Sequence, residues 1–211
     1  MENPSCVRER EHEIPLVLNY KILQDSPDFE NPKPELEQYS TPVDITLEII
    51  KHANSLGHLS GKVVDLGCGT GRLAIGAAIL GTDITGYEID EEALEQAKNY
   101  SKKHDLNITW NNKAIENIEE KYDTVLMNPP FGSQKPGADR IFLEKALEIS
   151  DNIWSIHMAE TKKFVEEFVE LNSGKIVSAY EFNFPLKRTM PFHTKNISNQ
   201  KAILYHIASL R

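Results

Sequence analysis

Asn128-Pro129-Pro130-Phe131 stands directly behind the apolar run 122–127, and its residue types suit one task, holding a planar amine for attack on an electrophile. An exocyclic ring amine is a poor nucleophile because its lone pair is delocalised. Two acceptors aimed at its two hydrogens draw the nitrogen toward a tetrahedral, reactive geometry. The Asn128 side-chain oxygen offers one acceptor and the Pro129 carbonyl the other, while Pro129 and Pro130, with fixed φ and no N–H, stiffen the turn. Phe131 offers a face for stacking. The same four residues also describe a strand ending in a Pro-rich turn with a core Phe, so alone they leave the matter open.

A second constellation lies upstream. The strand-like run Val63-Val64-Asp65-Leu66 enters the turn Gly67-Cys68-Gly69-Thr70-Gly71, followed by a helix-like pattern. Such turns bring backbone N–H groups close to a ligand at a helix N-terminus. The glycines fall as GxGxG, and the third-glycine position of the dinucleotide pattern is Arg72, which argues against nicotinamide or flavin. Asp65 suits an ammonium better than a pyrophosphate. A second apolar run, 84–87, ends at Glu88, which is 23 residues beyond Asp65 and near the spacing at which an acid grips ribose hydroxyls. Asp65, Gly67, Gly69 and Glu88, taken with Asn128, point to S-adenosylmethionine.

These residues need a frame that brings strand ends together. Periodicity predicts a helix over about 43–56, strands at 62–66, 83–88, 107–111, 122–127 and 152–157, and helices at about 71–80, 91–104, 138–150 and 159–172. This alternation specifies an α/β fold with a mostly parallel sheet and a crevice at the strands' carboxyl ends. After Gly174 the pattern changes to two long strands, 175–184 and 196–207, a terminal antiparallel hairpin. Residues 1–30 read as an N-terminal extension with a short helix near 16–23, and 31–211 as the functional domain. Loop 132–139 reads equally as a lid or as a plain connection.

The chain has 211 residues, 40% hydrophobic, enough for one core. No apolar run approaches the ~18 residues of a membrane span. Two cysteines, one inside the glycine turn, fit a reduced, cytoplasmic setting, and no cluster has metal-ligand spacing. Cys68 reads as a small turn residue rather than a nucleophile. The formal charge of −9 does not favour phosphate, so RNA contact would fall to local clusters: Lys187, Arg188, His193 and Lys195, with Lys135 and Arg140 after the Asn-Pro-Pro-Phe. His157 reads as structural. Trp110, with Ile108, lies on a strand expected at the sheet edge, where an exposed aromatic needs a cover, a partner protein being one candidate.

The sequence resembles the methyltransferase-like protein 5 family from about residue 21 to 207. The likeness is carried by Phe29-Glu30-Asn31-Pro32-Lys33, Leu36-Glu37-Gln38-Tyr39, Asp65 to Gly69, Gly86-Tyr87-Glu88-Ile89-Asp90, Asn128 to Gly132, Phe142-Leu143 with Ala146-Leu147-Glu148, and Phe192-His193. The resemblance implies a seven-stranded, Rossmann-like class I methyltransferase fold. It implies Gln38, Tyr39 and Thr41 enclosing the cofactor, Gly67, Thr70 and Glu88 contacting it, and catalysis by Asn128, Pro129, Pro130 and Phe131. It also implies the exocyclic amine of an adenosine in small-subunit ribosomal RNA as acceptor, and a small zinc-ribbon activator protein at the edge strand carrying Trp110. Ala114 stands where relatives often have Asp facing the cofactor's adenine, which would leave that hydrogen bond to backbone, at Ile115. Rivals are a glutamine-amide methyltransferase acting on a release factor, since an amide is also a planar amine, and a noncatalytic scaffold binding RNA or a partner.

Overall fold

In the computed structural model, which describes residues 20–132, 137–187 and 197–210, the alternating pattern resolves into seven strands and, from residue 43 on, five α-helices. In chain order these are α1 (Val43–Ser55), β1 (Lys62–Leu66), α2 (Arg72–Ala78), β2 (Asp83–Glu88), α3 (Glu91–Lys103), β3 (Ile108–Asn112), β4 (Tyr122–Met127), α4 (Ala138–Ile149), β5 (Ser150–Met158), α5 (Lys162–Leu171), β6 (Gly174–Lys187) and β7 (Ile197–Ser209). The strands form one sheet in the order β3-β2-β1-β4-β5-β7-β6. The first five run parallel, and β7 lies antiparallel between β5 and β6.

The central strands are short apolar runs because both faces are covered. Val64, Leu66, Val125 and Met127 face a cluster with Leu143, Leu147, Val165 and Tyr205. Val63, Leu126 and Ile84 face the other way, onto Ile49, Leu73, Ala77 and Trp154. α3 is N-capped by Asp90, whose side chain accepts from Glu92 N, with Glu91 and Glu92 in the first turn and Lys102 and Lys103 in the last, each suited to the helix dipole.

Two placements matter for function. From β3 at one edge the chain crosses to β4 on the other side of β1, so the crevice between β1 and β4 opens at their carboxyl ends, where Gly67 and Asn128 follow. The hairpin also overhangs that end. Met158, the last residue of β5, pairs with Ala202, itself opposite Phe182, and β6 continues five residues further to Lys187, roughly 17 Å at ~3.4 Å each.

Packing onto the domain begins before residue 31, earlier than the sequence pattern suggests. Residues 20–24 are helical, Leu23 is buried, and the Tyr100 hydroxyl donates to the Ile22 carbonyl at 2.6 Å. The expected helix at 159–172 is a 3-10 turn, Ala159–Thr161, followed by α5. Among the described residues no helix is long and apolar enough to cross a membrane.

Candidate active site

The glycine turn after β1 is shaped by what crowds it. Gly67, Gly69 and Gly71 all have φ between +55 and +86°, and a Cβ on Gly69 would stand 2.5 Å from the Phe29 ring. Glu88, buried at the end of β2, clamps the turn: its Oε2 accepts from Gly69 N at 2.8 Å and its Oε1 from Asp90 N at 2.9 Å. Each oxygen keeps a second lone pair for a hydroxyl. Burial pushes the Glu88 carboxyl up, with the backbone donors opposing. Asp65 is 1% exposed, and its Oδ2 accepts from Ala74 N at 3.0 Å in the first turn of α2. Burial raises its carboxyl to about 8, with the Glu88 charge adding to it. An acid so placed gains from a cationic neighbour.

A loop over residues 33–41 covers the pocket. Gln38 is held twice, its Oε1 accepting from Lys33 N at 2.7 Å and its Nε2 donating to Asp90 Oδ2 at 2.7 Å, and the Lys33 ammonium meets Asp90 Oδ1 at 2.6 Å. Arg72 is buried and works as a staple. It donates to the Ser26 hydroxyl and carbonyl, the Thr41 carbonyl and the Asp28 carboxylate at 2.9–3.1 Å, while the Thr70 hydroxyl donates to Pro27 O at 2.7 Å. A glycine at position 72 would make none of these contacts.

Asn128 leaves the end of β4 with its amide orientation settled by neighbours. Nδ2 donates to the Tyr39 carbonyl at 3.2 Å and to Thr41 Oγ1 at 3.1 Å. Its Oδ1 is buried and has no hydrogen-bond partner among the described residues. A buried acceptor left without a donor is costly unless a ligand supplies one. Asn128 and Pro130 line one cavity with Gln38, Tyr39, Asp65 and Glu88, and Ala114 and Ile115 border it as well.

Other expectations need revision. Phe131 does not present an isolated face: its ring lies beside Tyr39, centroids 6.3 Å apart and 19° from parallel, and meets Phe184 edge-on at 5.7 Å. Trp110 is not an exposed edge aromatic. β3 is the edge strand, yet strand alternation turns Ile108 and Trp110 inward. Trp110 Nε1 donates to Ser101 Oγ at 3.0 Å, and its ring packs on Gly71 and Gly86, where an added Cβ would come within 2.5 Å. The chain itself therefore covers part of this residue, which stays partly exposed.

Arg140 is exposed and lies 5.5 Å above the Phe168 ring. Lys135, Arg188, His193 and Lys195 fall outside the described residues, and of Lys187 only the strand position is described. Cys68 is buried, and burial pushes its thiol well up, which suits a packing role. His157 is buried against the Ser155 hydroxyl at 2.7 Å, and burial lowers it to about 3. Glu37 was missed by residue-type reasoning although it sits inside the Glu-Gln-Tyr segment. It is buried, lines the cavity, and accepts from Phe131 N at 3.0 Å.

The residues lining the pocket fit S-adenosylmethionine: Asp65 could meet its ammonium, Glu88 and the glycine turn could hold its ribose, and Asn128 Oδ1 is an acceptor still open to a substrate N–H. Fold and pocket together define a class I methyltransferase, and S-adenosylmethionine is its cofactor. The methyltransferase small domain family matches residues 41–152, and the chain belongs to that family, with the METTL5 proteins among its homologues. The rRNA N(6)-adenosine-methyltransferase Mettl5 of Drosophila melanogaster is 36% identical over 77% of this chain and 83% of its own length. An uncharacterized protein of Methanocaldococcus jannaschii is 38% identical over 85% and 88%. The crystal structure of a candidate RNA methyltransferase from Pyrococcus horikoshii superposes with a TM-score of 0.85 at 33% identity, covering 91% of this chain and 96% of that one.

Proposed function

We propose that the chain transfers a methyl group from S-adenosylmethionine to the exocyclic N6 amine of an adenosine in small-subunit ribosomal RNA, using Asn128-Pro129-Pro130-Phe131. The carrying observation is the buried Asn128 Oδ1, held by Tyr39 and Thr41 in the one orientation that leaves an acceptor for an N–H of the substrate. The fly and zebrafish relatives, named as rRNA N(6)-adenosine-methyltransferases, support adenosine as the bearer of that amine.

When bound, S-adenosylmethionine supplies an electrophilic sulfonium methyl. Asn128 Oδ1 and the Pro129 carbonyl each accept a hydrogen bond from one amine N–H, orienting the nitrogen's lone pair toward the methyl for in-line displacement. The target adenosine must leave its stack to reach the cavity. After transfer the nitrogen is cationic and acidic, so water can take the surplus proton without a strong base.

Arg140 and the basic hairpin residues Lys187, Arg188, His193 and Lys195, with Lys135, are assigned to the RNA backbone. The outer side of β3 offers main-chain groups for a zinc-ribbon activator protein to extend the sheet, in a cytoplasmic heterodimer. The decisive experiment is transfer of labelled methyl to small-subunit RNA with and without such a partner, followed by nucleoside analysis. N6-methyladenosine at one site is the expected product. Labelling of a release factor and not of RNA would replace this reading with glutamine-amide methylation, whose enzymes include a Streptococcus pneumoniae relative 33% identical over 49% of this chain.

A further inference from the structure

Glu37 is a buried carboxylate that the chemistry above does not use. It follows the turn Pro34–Leu36 with φ 49° and ψ 45°, a left-handed backbone that a residue with a Cβ rarely adopts. The residue is 6% exposed, lines the cavity beside Asn128 and Pro130, and its carboxylate accepts from Phe131 N at 3.0 Å. Pro129 and Pro130 carry no N–H, so after Asn128 the Phe131 amide is the first main-chain donor by which anything can grip this turn. Asp139, buried in the first turn of α4, is raised by its own burial and further by the Glu37 charge. The next residue, Gln38, is tied through Asp90 to Glu88, and Tyr39 and Thr41 hold Asn128. One left-handed residue thus joins the cofactor-covering loop to the turn that receives the amine.

We propose that Glu37 is a positioning residue for methyl transfer: by holding Phe131 N–H it fixes the Pro129 carbonyl and the Phe131 ring relative to Asn128. This rests on the function proposed above. A turn released from Glu37 leaves Asn128 Oδ1 in place but lets the second acceptor drift, so turnover falls while the cofactor still binds.

Three variants separate the contributions. Glu37→Gln keeps an acceptor for Phe131 N–H, Glu37→Ala removes it, and Glu37→Gly removes it while favouring the left-handed backbone. With whichever acceptor the wild type methylates, E37A and E37G are expected to lose about 10- to 100-fold in kcat. Cofactor Kd by calorimetry should stay within about threefold, and E37Q should recover most of the turnover. E37G should be as slow as E37A while melting no lower. Exchange of the Phe131 amide, followed by NMR, should quicken in E37A and E37G and not in E37Q. Unchanged kcat in E37A, a cofactor Kd that worsens as much as turnover falls, or E37Q as slow as E37A would overturn the assignment. If the wild type transfers no methyl to RNA, the proposed function fails by itself, and the Phe131 amide exchange still decides what Glu37 holds.

Discussion

The Asn128 amide nitrogen donates to the Tyr39 carbonyl at 3.2 Å, and because a carbonyl can only accept, this contact alone decides which way the amide faces. Thr41 Oγ1 adds a second acceptor at 3.1 Å. Replacing Asn128 with Ala is expected to leave cofactor binding within about threefold and to reduce kcat by about 10²- to 10³-fold, the loss typical of one preorganised donor or acceptor. Thr41→Val removes one of two restraints, and a smaller loss of about three- to tenfold is expected. Single-turnover rates with saturating cofactor measure both; equal rates in wild type and N128A would remove Asn128 from the mechanism.

Asp65 gives a prediction with a definite sign. Its carboxyl sits at about 8 in the fold against 3.8 ordinarily, so folding takes up a proton between those values. The stability it contributes is therefore fully present below pH ~4 and is lost as pH rises toward 8. Asp65→Asn keeps an acceptor for Ala74 N without the ionisation. It should raise unfolding free energy by about 2–4 kcal/mol at pH 8 and by almost nothing at pH 4, as read by urea titrations. The same change should weaken cofactor binding. In the wild type, cofactor binding below pH 8 should release a proton, visible as a buffer-dependent calorimetric enthalpy.

The fold was legible where local pattern decides it. Apolar runs at 63–66 and 122–127 and the helix after Asp90 specified a mostly parallel sheet and the carboxyl-end crevice, hence Gly67, Glu88 and Asn128, while the strand order comes from the structure. What stayed hidden depends on residues far apart in sequence. Arg72 finds its acceptors at 26–28 and 41, which no spacing rule connects. Phe131 gains an edge-on neighbour because the register of β6 carries Phe184 past the end of β5. Trp110 was assigned to the surface from its edge strand alone, and only the pleat shows that it turns toward Gly71 and Ser101.

The imidazoles predict the acid limb. His206 is buried with its ring 4.6 Å from that of Trp154 and 6° from parallel, and neither ring nitrogen has a partner among the described residues. Burial, then the neighbouring His58, lowers it to about 4, and burial lowers His157 to about 3. Both are neutral in the fold and charge when it opens, so their contribution is full above pH ~6.5 and is lost as pH falls toward 4 and 3. His206→Phe keeps the stack and removes the unsatisfied nitrogens. A gain of about 1–3 kcal/mol is expected at pH 5, smaller at pH 8. A gain independent of pH would assign the effect to packing alone.

Arg72 should couple stability to cofactor affinity. Its guanidinium supplies donors to three main-chain carbonyls, those of Ser26, Pro27 and Thr41, as well as to Ser26 Oγ and Asp28. Lysine has three donors on a flexible stem and cannot reproduce this fork. Arg72→Ala leaves partly buried carbonyls without donors and should cost about 2–4 kcal/mol, a fall in Tm of roughly 5–15 °C at this chain length. Because the lost donors hold residues 26–28 and 41, amide exchange should rise there first and spare β4 and β5. Cofactor affinity should fall with it, and Arg72→Lys should lie between. Uniform exchange across the sheet would mean that Arg72 supports the whole core rather than the loop that covers the cofactor.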